Sequence, residues 1–301
     1  MFLAPLGRVL SCIFVIAAAN SLFAEEALLV QSTPPEPSSP EETAPIYLWQ
    51  ETLDAPRTIV ASLARIDLQS SDVECIVMIG DDPDGEGPAE AELAYPETYM
   101  QKFNAMVGVN ANAFGAAHNE DAKKGFYLGM PVNIIGLAAS AGNVRSAAEE
   151  PPRRKRGEVA FWQDEQHASQ MSVPGQDTTI QEGVGQFIAA LVIDDKIVQR
   201  QDEPIHPRTA IGLDASGRYL LLAVIDGRQK GYSEGVTLYE LAQFMQQHGC
   251  AHAINLDGGG SSIMMFRDEP EAEAKTFNRP SGGKHRPIPV MFGFRVKTAL
   301  P

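Results

Sequence analysis

The sequence predicts an α+β fold with mixed, mainly antiparallel β-sheets and a few helices in a single large domain. Two observations support this prediction. Short strand-like runs recur along most of the chain, and the helical segments among them are few. They do not follow the steady strand–helix alternation of a doubly wound fold, so an α+β arrangement is the better match. Residues 46–301 are numerous enough to form one domain with a substantial core.

The N-terminal residues differ in composition from a folded domain. In residues 1–24, Arg8 is the only charged residue, an apolar run follows it, and Ala24 is a small residue suited to cleavage. This pattern is typical of a secretory signal peptide. Residues 25–45 are rich in Pro, Ser, Thr and Glu, so we expect a flexible leader there. We therefore expect an exported protein, periplasmic or secreted, with no membrane-spanning segment after cleavage.

The first half of the folded region predicts several strands and one helix. Alternating apolar and polar residues at 64–68 indicate a strand with one buried face. The predicted strands are 59–68, 73–80, 106–114, 131–137 and 159–162, and a helix is predicted at 96–103. The basic run at 149–157 is expected to be a solvated loop.

The second half has a denser and more regular pattern. Strands are predicted at 189–193, 209–213, 219–225, 250–254, 263–266 and 290–296. A helix is predicted at 238–248, because Leu238, Leu241 and Met245 recur at helical spacing. Thr237 is its expected N-cap and Gly249 its C-terminal stop.

Charge and cysteine content limit the class of partner. The formal net charge of the whole chain is −15 at pH 7. Such a charge argues against nucleic acid or an anionic membrane as a general partner, and any anionic substrate would need a local basic pocket. Cys12 lies in the signal segment, whereas Cys75 and Cys250 lie in apolar runs. These two either form a disulfide in an oxidising compartment or remain buried free thiols.

The most informative motif is NLDGGGSS at 255–262. A predicted strand ends there on Asn255 and Asp257, and the three glycines that follow allow backbone amides to approach a ligand closely. The alternative is a hairpin turn in which Asn255 and Asp257 bond only the amides of their own turn.

Similar polar groups stand at the ends of other apolar runs. These patches are 109–114, 206–212 and 224–228, and a polar loop at 278–286 precedes the last strand. Because strand ends are where sheets present functional side chains, their recurrence favours one shared pocket.

The order and content of these motifs are similar to the phosphodiester glycosidase family, over about residues 49–296. The specific part is RTAIG at 208–212, DGR at 226–228, GVTL at 235–238 and NLDGGGSS at 255–262, closed by Asn278, Pro280, Ser281 and Arg286. The chain departs from the family near Asn110, where Ala111-Asn112-Ala113-Phe114 replaces Asn-Gly or Asn-Ala-Gly before paired aromatic residues.

This resemblance implies hydrolysis of a glycosyl phosphodiester, with N-acetylglucosamine-1-phosphodiester in a surface glycan as a candidate substrate. The residues fit that chemistry, because an oxocarbenium-like centre needs a carboxylate and a departing phosphate needs positive charge. Asp257 is the first catalytic candidate and Asp226 the second carboxylate. Arg208 and Arg286 are candidates for the phosphate, although Arg208 could instead pair with an acid and Asp226 could be a turn residue. The other substrate-binding candidates are Asn110, Asn255, Gly258, Gly259, Gly260 and Ser261, with the three glycine amides forming a nest for the anion.

Three rival hypotheses belong to other classes. GYSEG at 231–235 fits the nucleophile elbow of serine esterases, with Ser233 followed by Asp257 and His285 in the expected order. A magnesium or calcium enzyme could use Asn255, Asp257 and Asp226, although the primary expectation is no metal and no cofactor. A polysaccharide-binding or assembly protein could use the same pocket without turnover. The expected partner is a carbohydrate phosphodiester, and a homodimer is left open.

Overall fold

The computed structural model describes residues 44–149, 158–200 and 204–297. Within these ranges it has twenty β-strands and two α-helices, so the predicted excess of strands over helices is confirmed. The predicted signal peptide, nearly all of the leader and residues 150–157 of the basic run lie outside the described residues.

The elements are numbered in chain order. The strands are β1 (Ile46–Leu53), β2 (Ile59–Asp67), β3 (Val73–Ile79), β4 (Ala91–Glu92), β5 (Val107–Asn110), β6 (Phe114–Ala116), β7 (Pro131–Ile134), β8 (Ala138–Ser140), β9 (Asn143–Ser146), β10 (Ala160–Gln163), β11 (Ser169–Ser172), β12 (Glu182–Gly185), β13 (Ala190–Ile193), β14 (Lys196–Ile197), β15 (Arg208–Asp214), β16 (Tyr219–Ile225), β17 (Cys250–Asn255), β18 (Met264–Phe266), β19 (Lys275–Thr276) and β20 (Val290–Val296). The helices are α1 (Pro96–Lys102) and α2 (Leu238–Gln247), with short 3-10 turns at Asp121–Lys123 and Gly259–Ser261.

The strands form four sheets. A seven-stranded sheet has the order β1-β2-β16-β15-β17-β13-β14, and a five-stranded sheet has the order β19-β18-β5-β20-β3. A second five-stranded sheet has the order β11-β10-β12-β8-β9, and β4-β7-β6 form the fourth. Every strand pairing among the described residues is antiparallel, so the parallel pairs that a mixed sheet would contain are absent from this part of the chain.

The seven-stranded sheet is buried on both faces. Successive side chains of a strand point to opposite faces, so β16 divides its apolar residues between two clusters. Leu220, Leu222 and Val224 pack into the large core shared with β3, β5 and β20. Leu221 and Ala223 pack on the other face, against the apolar side of α2. This double burial explains why β16 is a continuous apolar run in the sequence.

The sheet that contains β5 and β20 is also covered on both faces. Phe292 of β20 faces the core shared with the seven-stranded sheet, whereas Met291 faces a cluster with Tyr99 and Met100 of α1. The order of layers is therefore α2, the seven-stranded sheet, the β5–β20 sheet and α1. The two sheets enclose the main core and meet at the ends of their central strands.

The predicted cap of α2 is confirmed. Thr237 Oγ1 accepts a hydrogen bond from the Glu240 amide at 3.1 Å, and the Glu240 carboxylate accepts one from the Thr237 amide at 2.8 Å. This reciprocal capping box satisfies amides that the first helical turn leaves unpaired. The helix ends at Gln247, just before Gly249.

The two cysteines of the described region are free and buried. Cys75 belongs to the core between the two large sheets, whereas Cys250 packs against α2 on the far face of the seven-stranded sheet. Burial raises the pKa of both thiols, which keeps them in the neutral form. The structure thus favours the free thiols over the disulfide.

Candidate active site

Antiparallel pairing brings three sequence motifs to one edge of the seven-stranded sheet. Arg208 at the start of β15 pairs with Ile225 at the end of β16, and Ala210 pairs with Asn255 at the end of β17. The residues that follow β16 and β17 therefore leave the sheet beside Arg208. The predicted convergence of the 208, 226 and 257 motifs is a direct result of this register.

Asp257 is held in place mainly through its backbone. Its carbonyl accepts a hydrogen bond from Asn110 Nδ2 at 2.6 Å, and its amide donates to the Ala111 carbonyl at 2.9 Å. One carboxylate oxygen accepts the Gly258 amide at 2.9 Å. The residue as a whole is partly buried.

The side-chain amide of Asn110 connects the two large sheets. It is only 1% exposed, and its Oδ1 accepts hydrogen bonds from Thr209 Oγ1 at 2.7 Å and from the Ile263 amide at 3.0 Å. With the bond to Asp257, its amide group links β5 to the ends of β15 and β17. This placement makes Asn110 a positioning residue for Asp257, and its contact with a sugar stays a prediction.

Ser261 connects the carboxylate to a guanidinium. Its hydroxyl accepts from Arg286 Nη1 at 3.3 Å, and it lies close enough to the Asp257 carboxylate to lower the pKa of that group. Burial raises the pKa of Asp257, while the bonds from Ser261 and Gly258 and the charge of Arg286 oppose that rise. Burial also lowers the pKa of Arg286, and the charge of Asp257 opposes that change. The two charges therefore favour each other's ionised state.

The three glycines of the motif lie against three different arginines. A methyl group on Gly260 would lie 2.2 Å from Arg286 Nη2, and one on Gly259 would lie 3.2 Å from Arg228 Nη1. A methyl group on Gly258 would collide with the Pro207 carbonyl at 2.7 Å, with Arg208 just beyond. Gly259 also has φ +64°, a left-handed conformation that favours glycine. Gly259 and Gly260 thus make room for guanidinium groups.

The predicted anion nest of three glycine amides is largely occupied by protein. The Gly258 amide bonds the Asp257 carboxylate, and the Gly259 amide donates to the Pro207 carbonyl at 2.9 Å. These two amides are therefore not directed at a ligand. Positive charge in this region comes from arginine side chains instead.

Arg228 and His206 extend the site beyond the predicted residues. Arg228 Nη2 lies 3.2 Å from His206 Nδ1, and because a guanidinium only donates, that nitrogen must accept. Burial, followed by the charges of Arg228 and Arg208, lowers the pKa of His206. A neutral His206 that accepts this bond carries its proton on Nε2. Arg208 itself is buried and donates to the Pro204 and Val236 carbonyls.

Asp226 has a different environment. It is 2% exposed, and its carboxylate accepts hydrogen bonds from Asn278 Nδ2 at 2.8 Å, the Arg279 amide at 3.0 Å and the Tyr232 hydroxyl at 3.1 Å. Burial raises its pKa, and these donors oppose the rise. In the structure Asp226 anchors the polar segment that begins at Asn278, and its catalytic role stays a prediction.

Asn255 holds the loop before β13. Its Nδ2 donates to the Phe187 carbonyl at 2.9 Å, and its own carbonyl accepts from the Phe187 amide at 2.7 Å. The side chain is 1% exposed, and its Oδ1 has no hydrogen-bond partner among the described residues. This oxygen is itself buried, so it does not face the surface of the site.

The arrangement for a serine nucleophile is absent. Ser233 has no exposed surface, its hydroxyl donates to the Asp226 carbonyl at 2.6 Å, and it accepts from the Val60 amide at 3.0 Å. His285 instead contacts Glu97 and Thr276. The esterase hypothesis is therefore wrong for Ser233, because both hydrogen-bonding capacities of the hydroxyl serve the fold.

The described residues contain no group of three or more His, Cys, Asp or Glu side chains placed to hold a metal ion. Their helices are also too short and too polar to cross a membrane.

Curated relatives match over short segments. An uncharacterized SPbeta prophage-derived protein, YomE, of Bacillus subtilis is 37% identical over 83 residues, which are 28% of this chain and 12% of the relative. An N-acetylglucosamine-1-phosphodiester alpha-N-acetylglucosaminidase of Bos taurus is 45% identical over 62 residues, which are 21% of this chain and 11% of the relative. The matched segments thus span about a tenth of the length of these relatives.

Solved structures match over most of the chain. The catalytic domain of the zebrafish N-acetylglucosamine-1-phosphodiester alpha-N-acetylglucosaminidase, auto-inhibited by its pro-peptide, has a TM-score of 0.58 and 18% identity, covering 83% of this chain and 82% of that one. A hypothetical protein from Synechocystis has a TM-score of 0.55 and 16% identity, covering 84% and 62%. At these low sequence identities, the structural similarity shows the fold alone. The sequence profile described as phosphodiester glycosidase matches residues 103–295, which contain the Asp257 turn and all of its partners, and the chain therefore belongs to the phosphodiester glycosidase family.

Proposed function

We propose that this protein hydrolyses the bond between the anomeric carbon of a sugar and a phosphodiester. One observation carries the proposal: the Asp257 carboxylate and the Arg286 guanidinium both lie next to Ser261, close enough for each charge to favour the ionised state of the other. A negative group suited to the sugar and a positive group suited to the phosphate thus lie side by side.

The chemistry assigns separate tasks to the two groups. As the anomeric carbon loses its phosphate, it gains oxocarbenium-like positive charge, which the Asp257 carboxylate would stabilise, trap covalently or supply with an activated water. The phosphodiester leaves as a weakly basic anion, so it needs less proton donation than a sugar alcohol would. Its negative charge would be met by Arg286, whose planar guanidinium can bond two phosphate oxygens.

The charge distribution supports an anionic substrate. The whole chain has a formal net charge of −15, yet the guanidinium groups of Arg228 and Arg286 both lie against the glycine turn after Asp257. A local cluster of positive charge on an acidic protein favours a specific anion over general binding to polyanions.

We propose N-acetylglucosamine-1-phosphodiester, within a surface glycan, as the substrate. The name of the bovine relative supports this choice.

The test is release of N-acetylglucosamine from N-acetylglucosamine-1-phospho-α-methyl mannoside and related sugar-1-phosphodiesters. Turnover by the wild-type protein and its loss in folded Asp257→Asn would support the proposal. The exposed carboxylate of Asp177 offers a matched control, since Asp177→Asn should keep full activity. Equal turnover by both variants would remove Asp257 from the mechanism. Binding of these compounds without product release over hours would favour a polysaccharide-binding protein.

We also propose that the protein is exported, on the composition of residues 1–24. Expression of the complete chain in a bacterial host and mass measurement of the product outside the cytoplasm would test this. The expected N-terminus is Glu25. An intact N-terminal segment on cytoplasmic protein would contradict export.

A further inference from the structure

The Arg286 guanidinium has few polar partners to fix its position. Among the described residues it forms no salt bridge, and its hydrogen bond to Ser261 Oγ, at 3.3 Å, is long for an N–H···O contact. The charge of Arg228 lowers the pKa of Arg286, because the two guanidinium groups repel each other. An arginine side chain has several rotatable bonds, so one weak hydrogen bond restrains it poorly. A further contact is needed to hold it beside the Asp257 turn.

Phe126 supplies that contact. The guanidinium carbon of Arg286 lies over the Phe126 ring, 4.8 Å from its centre, which is a cation–π geometry. The ring attracts the guanidinium because its faces carry negative charge density, although the ring has no net charge. A carboxylate partner would also hold the guanidinium, but it would cancel the positive charge that a phosphate needs. The contact with Phe126 leaves that charge uncompensated.

The Phe126 ring is itself held in place. It lies in the loop that joins β6 to β7, and its centre is 5.1 Å from that of Phe114, with an interplanar angle of 65°. The next residue anchors the loop, because Tyr127 donates its hydroxyl to the Asp121 carboxylate at 2.6 Å. Phe126 is nevertheless 50% exposed, so burial in the core does not account for this anchored aromatic ring.

We infer that Phe126 is a positioning residue for Arg286: its ring holds the guanidinium beside Asp257 and leaves the positive charge available to an anion. The inference rests on the proposed function, in which Arg286 meets the departing phosphate. Phe126 acts through Arg286 and has no assigned contact with the substrate. Its aromatic face, rather than its apolar bulk, is the property that matters.

The first experiment varies the ring and measures kcat/KM for a sugar-1-phosphodiester. Phe126→Ala should lower kcat/KM by about fivefold, the size expected for a lost cation–π contact. Phe126→Leu keeps apolar bulk but has no aromatic face, so it should lose as much activity as Phe126→Ala. Phe126→Trp keeps such a face and should stay close to the wild type. Full activity in Phe126→Leu would overturn the inference, because packing alone would then suffice.

The second experiment is a double-mutant cycle with Arg286→Gln. Glutamine has no charge for the ring to hold, so Phe126→Ala should have no further effect on kcat/KM in the Arg286→Gln background. A purely structural role for Phe126 would produce the same fivefold loss in both backgrounds. That additive result would show that Phe126 acts independently of Arg286, and it would overturn the inference.

Leu128 provides the matched control, because it lies in the same loop and is 58% exposed. Leu128→Ala should keep wild-type kcat/KM, and a fivefold loss in this variant would assign the effect to the loop as a whole and overturn the inference. All of these outcomes require an active wild-type protein, so they leave the glycosidase proposal intact. Failure of the wild-type protein to turn over any sugar-1-phosphodiester would overturn both.

Discussion

Two Asp-Gly turns stand at the same edge of the seven-stranded sheet, yet their carboxylates differ. Asp226 follows β16 and is 2% exposed, with donors from Asn278, Arg279 and Tyr232 around it. Asp257 follows β17 and is partly exposed, with the Gly258 amide and Ser261 as partners. Burial raises the pKa of both groups.

This difference in environment indicates that the hydrogen-bond donors around each carboxylate determine whether its role is structural or catalytic. Asp226 uses both carboxylate oxygens to hold the segment that begins at Asn278, so its replacement should mainly lower the free energy of unfolding. Asp257 has fewer donors and lies next to a positive group, so its replacement should mainly lower turnover. The predictions below test this division.

The largest expected effect is on turnover in Asp257→Asn. Asn keeps an oxygen that can accept the Gly258 amide, but it lacks the negative charge that the reaction requires. We expect kcat/KM for a sugar-1-phosphodiester to fall by about 10²- to 10⁴-fold. Thermal unfolding should change little. A variant that retains activity but unfolds at a much lower temperature would reverse the roles of the two carboxylates.

The next largest effect is on stability in Asp226→Asn. The new amide group would face donors from Asn278, Arg279 or Tyr232, so at least one buried donor loses its acceptor. We expect unfolding free energy in urea to fall by about 1–3 kcal/mol. Tyr232→Phe, which removes a single donor, should cost less. Unchanged stability together with lost turnover would indicate that Asp226 acts in the chemistry itself.

A smaller effect is expected from Gly260→Ala. The added methyl group would lie 2.2 Å from Arg286 Nη2, so the guanidinium must move away from Ser261 and Asp257. We expect kcat/KM to fall by about tenfold, the loss of one hydrogen bond to a charged group. Gly282 has nothing within 4 Å of the same added methyl, so Gly282→Ala is the control and should be fully active.

The smallest effect is a shift in the pH profile. The reaction needs ionised Asp257, so kcat/KM should fall as the pH is lowered through a pKa that burial has raised above its ordinary value. Arg286 lowers that pKa, so Arg286→Gln should move the acid limb to higher pH. Arg279→Gln should not, because the charge of Arg279 acts on Asp226. If the acid limb of the pH profile moves only in Arg279→Gln, the limb reports the titration of Asp226.

Long, strongly apolar elements could be predicted from the sequence. The strands at 219–225 and 290–296 are confirmed at both ends, and α2 begins where its cap predicts. The predicted strand at 106–114 is shorter, because residues 111–113 leave the ladder and Asn112 donates to the Ile135 and Leu137 carbonyls. β1 was not predicted; it lies at the edge of its sheet and is only half-buried, so its sequence pattern is weak.

The position of the site could be predicted from the sequence, but the different roles of Asp226 and Asp257 could not. An Asp-Gly pair after an apolar strand marks both turns equally well. The donors that set Asp226 apart come from Asn278 and Arg279, more than fifty positions away, and only the fold brings them together. Arg228 belongs to the DGR motif at 226–228, and its guanidinium lies against Gly259, so this motif supplies a positive charge to the site as well as Asp226. Phe126 had no local signal, because its neighbours at Arg286 and Phe114 are defined by tertiary structure.

The single amide group of Asn110 makes the active site sensitive to how the two large sheets fit together. It joins β5 in one sheet to Thr209 and Asp257 in the other. A core substitution that slides one sheet by a fraction of an ångström would displace the Asp257 carboxylate before it unfolds the protein. Turnover should therefore be more sensitive than the melting temperature to small packing errors in the core.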